Sequence, residues 1–391
     1  MMRLVPAHDS HFAWMLGEAE APDGLILPPG GLDTPPILRW LRRTLPKLGG
    51  YGSWLMVDAD EIVGACGYKH APTPAGDVEV GYGVAPERRA RGYARLAGEL
   101  LLEAARVDVR VRAITAETAV GNIASQRVLA GQGFFKVGRG WDDEEGETIL
   151  WRLALRDEPP TAVPPGLIAA RFDALYETAD GALVCTNSWE RRPAPRFHLI
   201  LSASGPLIHF RGDVPPGVAG RLEALAAAQT WEPKRAGPPA TLAAYVEALK
   251  AQAPVTSVWS GPAFAMFRDI HPWAPVVDIS EANAGLLTGK LAEWVPDVPY
   301  RRPFVAVAHD AKAVSLCASV RISPAVHCAG VETHPEHRQR GHALAAVSGW
   351  AHAVQQLGAT PFYSTSWENL ASRAVARRLG FQLVATDLHI T

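Results

Sequence analysis

The sequence predicts an α/β protein with one folding unit used twice. Three observations predict it. Strand-like and helix-like segments alternate along both ends of the chain, two motifs recur at both ends in the same order, and a proline-rich stretch closes off the first copy.

Residues 8–20 have an apolar face of Phe12, Met15 and Leu16, which predicts an amphipathic helix, and residues 34–47 predict a second. WLMVDADEIVGACGYKH (54–70) reads as two strands joined by a turn at 58–61, and VEVGYGVAPE (78–87) as a third strand ending at Pro86. A long helix is expected from about Tyr93 to Val107, a strand over VRAITAET (111–118), a helix over 123–133 stopped by Gly133, and a strand from FFKVGRG.

DEPPTAVPPG (157–166) carries four prolines, which remove backbone donors and forbid helix, so it reads as a linker after a first domain of residues 1–157. Residues 167–254 read as an additional α/β region: LVCTNS, FHLILSAS and LIHF as short strands, AGRLEALAAAQ and TLAAYVEALKAQ as helices. No chemical motif stands out there. From residue 255 the first order returns: a strand, a helix at 280–294, strands at 303–309 and 313–322, then strand, turn, helix, strand and helix to residue 391. Trp189, Trp231, Trp259, Trp273 and Trp294 crowd the middle of the chain, as core or as the wall of a substrate pocket.

Bulk properties narrow the partners. A net charge of −2 over 391 residues gives no reason to expect nucleic acid or an anionic membrane, so any basic site must be local. No run of about 18 apolar residues predicts a membrane span, and the N-terminus does not read as a signal peptide. Cys66, Cys185, Cys317 and Cys328 have no CxxC spacing, which argues against zinc and fits a reducing, cytoplasmic location.

The repeat carries the chemistry. VAPERRARGYA (84–94) lies over THPEHRQRGHA (333–343), and ETAVGNIASQRVLAGQGF (117–134) over STSWENLASRAVARRLGF (364–381). Gly92 and Asn122 are 30 positions apart, Gly341 and Asn369 28, and each Asn precedes its glycine (Gly133, Gly380) by 11. The R-x-x-G-x-A turn falls between a strand end and a helix start, where unpaired backbone N–H groups and the helix dipole favour an anion. Gly92 and Gly341 let the backbone approach a phosphate, Ala94 and Ala343 are small for the same reason, and Arg89, Arg91, Arg338 and Arg340 add charge. A kinase-type loop would need GK[ST] and a dinucleotide fold GxGxxG; neither is present in the turn.

Both ends resemble the GNAT superfamily of acyl-CoA-dependent N-acyltransferases, whose signature is a Gln/Arg-x-x-Gly-x-Gly/Ala turn after the fourth core strand. It is matched by Arg89, Gly92 and Ala94, and again by Arg338, Gly341 and Ala343. The resemblance covers about residues 1–155 and 255–391. The first copy is most similar to the Rim-type branch, which acetylates N-termini of ribosomal proteins. The resemblance implies two GNAT folds in tandem, each a splayed mixed sheet flanked by helices, with acetyl-CoA in the opening. It places the cofactor against Val84, Arg89, Ala90, Arg91, Gly92, Tyr93, Ala94 and Asn122 in the first copy. In the second copy it places it against Thr333, Arg338, Gln339, Arg340, Gly341, His342, Ala343 and Asn369. The thioester carbonyl is expected at a backbone N–H near Val84, and Asn122 on the pantetheine arm.

Acetylation of an amine needs a base for its proton, a donor for the leaving thiolate and donors for the oxyanion. Glu79 is the expected base of the first copy, with Glu117 second, and Ser125 the expected acid. Tyr82 and Tyr93 read as packing residues. In the second copy Cys328 stands where Glu79 would be, leaving Glu332 as the candidate base and Ser372 as the counterpart of Ser125. His334, His337 and His342 crowd the second turn, but no H-x-x-x-H spacing accompanies them and no metal is expected. The expected activity is acetyl transfer from acetyl-CoA to a primary amine, on a small molecule or a peptide N-terminus. One half is alternatively a non-catalytic acyl-CoA-binding or dimer-mimicking module. The chain is expected as a monomer (a tandem pseudo-dimer) or a homodimer.

Overall fold

The computed structural model describes residues 2–48, 51–143, 145–156, 163–233, 237–272 and 274–391. Most of the proline-rich segment 157–166, and Trp273, lie outside the described residues. Two compact units divide the chain, residues 1–157 and 158–391.

The first unit runs β1 (Arg3–Pro6), α1 (Asp9–Met15), α2 (Pro35–Thr44), β2 (Ser53–Asp58), β3 (Glu61–Tyr68), β4 (Asp77–Val84), α3 (Tyr93–Val107), β5 (Ala113–Ala119), α4 (Ile123–Gly131), β6 (Phe135–Asp142) and β7 (Gly146–Ala154). Its seven-stranded sheet has the order β1-β2-β3-β4-β5-β7-β6. The period-two alternation of the strands sorts their apolar residues between two cores. Met56, Val63, Val78, Val80, Ile114 and Ala116 meet Leu101 and Leu102 of α3 and Leu129 of α4. On the other face Leu55, Val57 and Ile62 meet Phe12 of α1 and Leu38 of α2. Helix α1 is shorter than expected because Gly17 adopts a positive φ of 74° just after it. The hairpin strand β7 was not foreseen from the sequence.

The second unit runs α5 (Leu167–Leu175), β8 (Tyr176–Ala179), β9 (Ala182–Thr186), β10 (Phe197–Ser202), β11 (Gly205–Phe210), α6 (Pro216–Ala227), α7 (Leu242–Lys250), β12 (Val258–Ala265), β13 (Val277–Asp278), β14 (Phe304–His309), β15 (Lys312–Ile322), β16 (Val326–Thr333), α8 (His342–Gln356), β17 (Thr360–Ser364), α9 (Leu370–Leu379) and β18 (Gln382–Ile390). Its nine-stranded sheet has the order β11-β10-β18-β12-β17-β16-β15-β14-β13, and β8 pairs with β9. Residues 167–254 are therefore woven into this unit: β10 pairs antiparallel with β18, from Phe197 opposite Ile390 to Ser202 opposite Ala385. Strand β12 lies between β17 and β18, the place that β7 takes between β5 and β6. The chain thus supplies that strand before the repeated unit in the second half and after it in the first.

The helix expected at 280–294 is instead two 3-10 segments, Glu281–Leu286 and Gly289–Asp297. Gly289 holds φ +56° at the break, and Pro296 withholds a donor inside the second segment. These segments pack Leu287, Leu291 and Trp294 against Phe304, Leu316 and Ala318.

Candidate active site

Each sheet opens at one place. Strand β4 pairs with β5 in parallel for three residues only, Asp77–Ala113, Val78–Ile114 and Glu79–Thr115. Beyond Glu79, β4 runs on to Val84 and β5 to Ala119 without pairing each other. In the second unit β16 and β17 pair at Val326–Thr360, His327–Pro361 and Cys328–Phe362, then part in the same way. The backbone groups along both arms of each opening are left for another partner.

A turn of the same shape follows the β4 and β16 arms. The 3-10 turns Pro86–Arg88 and Pro335–His337 lead into Ala90 at φ +61° and Gly92 at +84°, and into Gln339 at +60° and Gly341 at +82°. Alternation of left- and right-handed residues turns successive N–H groups to one side, a nest for an anion. The first intrahelical bonds run from Leu96 to Gly92 and from Ala345 to Gly341. The N–H groups of Tyr93, Ala94 and Arg95, and of His342, Ala343 and Leu344, thus precede the first helical acceptor. A Cβ on Gly92 would meet no atom within 4 Å, so crowding does not select glycine there; φ does. The open space beside it suits an oxygen-rich anion.

The arginines that begin the turns brace them. Arg89 Nε donates to Val84 O at 3.2 Å and Arg338 Nε to Thr333 O at 3.4 Å, so each guanidinium ties its turn to the strand end. Arg91 and Arg340 are exposed at the mouth. At the other arm, Asn122 Oδ1 accepts from Ser125 N at 3.1 Å and Asn369 Oδ1 from Ser372 N at 3.0 Å. Both asparagines are helix N-caps, which fixes the serines one turn into α4 and α9.

The two sites differ in what surrounds this frame. Glu79 alternates with Val78 and Val80, which face α3, so its carboxylate lies on the α1/α2 face at the apex of the opening. There it meets Lys69 Nζ at 2.5 Å. Glu117 shares that face on the β5 arm and accepts from Thr148 Oγ1. In the second unit the corresponding positions are Cys328 and Ser364, and helix α5 covers them. Arg171 of α5 is fully buried there, donating to Asp387 at 2.9 and 2.5 Å and to Ser364 Oγ at 3.0 Å. Its guanidinium lies 5.4 Å from the Phe362 ring centre. Burial alone would raise the Asp387 carboxyl; the Arg171 charge and its hydrogen bonds, with His198, hold it far below the usual carboxylate range. Burial likewise pushes the Cys328 thiol up, against the pull of Arg171 and Arg321. Glu332 faces the same side as Cys328, and Trp294 Nε1 donates to it at 2.9 Å.

The serines differ as well. Tyr82 donates to the Ser125 carbonyl at 3.4 Å and lies within reach of the serine side chain. The Ser372 hydroxyl is 2.6 Å from that of buried Tyr363. Tyr93 is more than packing, because its hydroxyl donates to Asp58 at 2.7 Å. In the second unit that pair is replaced by His342 and His309, with ring centres 4.9 Å apart. Among the described residues no group of three His, Cys, Asp or Glu side chains is arranged to hold a metal. The Tyr363–Ser372 and Trp294–Glu332 contacts were not foreseen from the sequence. A hydroxyl or indole one strand away leaves no periodic signal.

Comparison with known proteins matches residues 3–134 to the acetyltransferase (GNAT) domain family and residues 304–386 to the GNAT acetyltransferase family. The uncharacterized N-acetyltransferase YjdG of Bacillus subtilis (strain 168) is 34% identical over 87 residues, 22% of this chain and 52% of that protein. The match thus spans about half the length of that relative. Among solved structures, RimL, a ribosomal L7/L12 alpha-N-protein acetyltransferase in complex with coenzyme A, aligns at 17% identity and TM-score 0.32, over 39% of this chain and 93% of that one. A GNAT-family acetyltransferase from Bacillus anthracis aligns at 16% identity and TM-score 0.31, over 39% and 95%.

Proposed function

We propose, from the GNAT acetyltransferase families that match both ends of the chain, that it is an acyltransferase that acetylates a primary amine in its first half and only holds acyl-CoA in its second. The observation that carries the division is the free face of the two openings. The first presents Glu79 and Glu117, whereas the second presents Cys328 and Ser364 beneath Arg171.

The turns fit the pyrophosphate of coenzyme A. The N–H groups after Arg89 and Arg338, the glycines at positive φ and the exposed Arg91 and Arg340 would hold it. Bound acetyl-CoA supplies an activated acetyl group as a thioester. The chain's own residues do the rest. Glu79 and Glu117 attract the acceptor as an ammonium ion, and Glu79 takes its proton, directly or through a water. The neutral amine then attacks the carbonyl carbon, a C–N bond forms, the C–S bond breaks, and the surplus proton on the attached nitrogen passes to the departing thiolate. The sulfur leaves with the electron pair, and the Ser125 hydroxyl donates to it. Backbone N–H groups of the unpaired β4 arm near Val84 stabilise the developing oxyanion. The products are an N-acetylated amine and free coenzyme A.

In the second half Glu332 is tied to Trp294, the apex carries a buried thiol, and the Ser372 hydroxyl is engaged by Tyr363. This half keeps the anion turn and has Cys328, not a carboxylate, at the apex. Thiol release from acetyl-CoA against a panel of polyamines, amino acids and peptides with free N-termini tests the reading. At least one amine should turn over, and Glu79→Gln should abolish that turnover. Turnover unchanged in Glu79→Gln and lost in Glu332→Gln would move the chemistry to the second half.

A further inference from the structure

The second unit contains a cavity of about 360 Å³ that neither anion turn uses. Its lining comes from Glu177 of β8, from the loop after β9, from Tyr300 and Arg301 just beyond the second 3-10 segment, and from the last residues of β15. It has the size of a small-molecule site.

Its charges do not cancel. Arg191 is paired with Glu177 at 2.5 Å, and Arg301 with Asp297 at 2.9 Å. Arg321 is the third cation of the lining and has no carboxylate partner among the described residues. Its Nη1 donates to Val320 O at 2.7 Å, and its Nε and Nη2 make no hydrogen bond there. Burial lowers its proton affinity below that of an ordinary arginine, against the opposing pull of Cys328, Tyr176 and Glu190. A half-buried guanidinium with two hydrogen-bonding groups unused and no ion pair of its own among the described residues is available to an anion that enters the cavity. The free Nε–Nη2 edge is the fork that takes a carboxylate with two parallel hydrogen bonds.

The mouth is aromatic. Trp189 and Tyr300 stack with ring centres 5.3 Å apart and planes 19° from parallel, yet stay 44% and 56% exposed. Trp189 Nε1 donates to Asp297 at 2.7 Å, which holds the ring in place. A rigid, half-exposed ring pair beside an unpaired cation offers a stacking surface and one charge. A phosphate dianion would leave the site over-neutralised, whereas a monoanion balances it.

We propose that this cavity binds a small planar monocarboxylate, its carboxylate on the Arg321 fork and its ring against Trp189 and Tyr300. The site is independent of the reading of the two anion turns, because it uses none of their residues.

Calorimetric titration of the full chain with benzoate, benzamide and inorganic phosphate tests it, with circular dichroism recorded in parallel as a check on folding. Benzoate should bind with one site per chain, and benzamide, which keeps the ring and loses the charge, roughly tenfold or more weaker. Arg321→Gln should weaken benzoate by a similar factor and leave the circular dichroism spectrum and thermal midpoint unchanged. Where Arg321→Gln does not fold, Arg321→Lys carries the test: it keeps the charge, loses the fork, and should weaken benzoate several-fold. No saturable benzoate binding up to 20 mM, about the weakest a fragment of this size would show, would overturn the proposal. So would equal binding of benzamide, preference for phosphate, or benzoate binding untouched in the folded Arg321 variant.

Discussion

The two anion turns have the same backbone and opposite surroundings. Ala90 and Gln339, Gly92 and Gly341, the asparagine caps and the arginine braces agree in φ, partner and distance. Around the first turn stand Asp58 with Tyr93, and Glu61 with Arg88 at 2.7 Å. Around the second stand His309 with His342, and His337 with ring centres 6.0 Å from His342. The openings behind the turns diverge the same way, two carboxylates in one and a buried Arg171–Asp387 pair in the other. On the proposed function, the difference teaches that anion binding and amine chemistry are separable in this fold. The first rests on local backbone shape, and the second on which side chains and covering helix the free face receives.

The comparison breaks most visibly at Glu79. Removing a general base costs about 10²–10⁴-fold in kcat, so Glu79→Gln should fall by that order in steady-state thiol release while Glu332→Gln stays within a few-fold of wild type. A comparable loss in both would erase the distinction between the halves.

Arg171→Ala comes next, read as stability. It leaves the Asp387 carboxylate buried and unpaired, which costs about 3–5 kcal/mol; urea unfolding should show the second unit losing its midpoint while the first unit holds. A drop of less than about 1 kcal/mol would mean that the pair is not the plug the structure places on that face.

Gly92→Val and Gly341→Val sharpen the likeness. A β-branched residue at φ near +80° carries strain of about 1–3 kcal/mol, and its side chain occupies the space beside the turn. Each variant should weaken coenzyme A at its own site roughly tenfold and spare the other, measured by calorimetry.

The smallest effect is the pH response. Burial, then His309, His337 and Arg340, keep the His342 imidazole below the ordinary histidine value, so it is neutral at pH 7. Its neutral form favours the fold: that stability is fully present above about pH 6.5 and is lost as the pH falls through the lower folded value. A bound polyanion favours the protonated form. Coenzyme A affinity at the second turn should therefore rise a few-fold from about pH 7.5 to pH 6, and that at the first turn should stay flat. A His342→Asn variant should flatten the second.

Much of the frame was legible in the sequence because it is local. The turn, the cap and the helix after it lie within a few residues of each other, and their spacing repeats. The covering of the second opening was not legible, since Arg171 and Asp387 are 216 positions apart. Its one trace is an arginine amid the apolar face of LIAARF, a buried charge that needs a partner. The insertion of β12 between β17 and β18 is likewise invisible, because strand order is a long-range property that no periodicity encodes. The break in the 280–294 helix has a local trace in Gly285 and Gly289, which weaken a helix from inside that span. Arg321 reads as an ordinary strand charge until its neighbours in space prove to be already paired.

Coenzyme A stoichiometry on the full chain, by calorimetry, tests the separation of binding from chemistry most directly. Two equivalents per chain are expected, with Gly92→Val removing one tight site and Gly341→Val the other. One equivalent lost to Gly92→Val alone, or none at all, would contradict it.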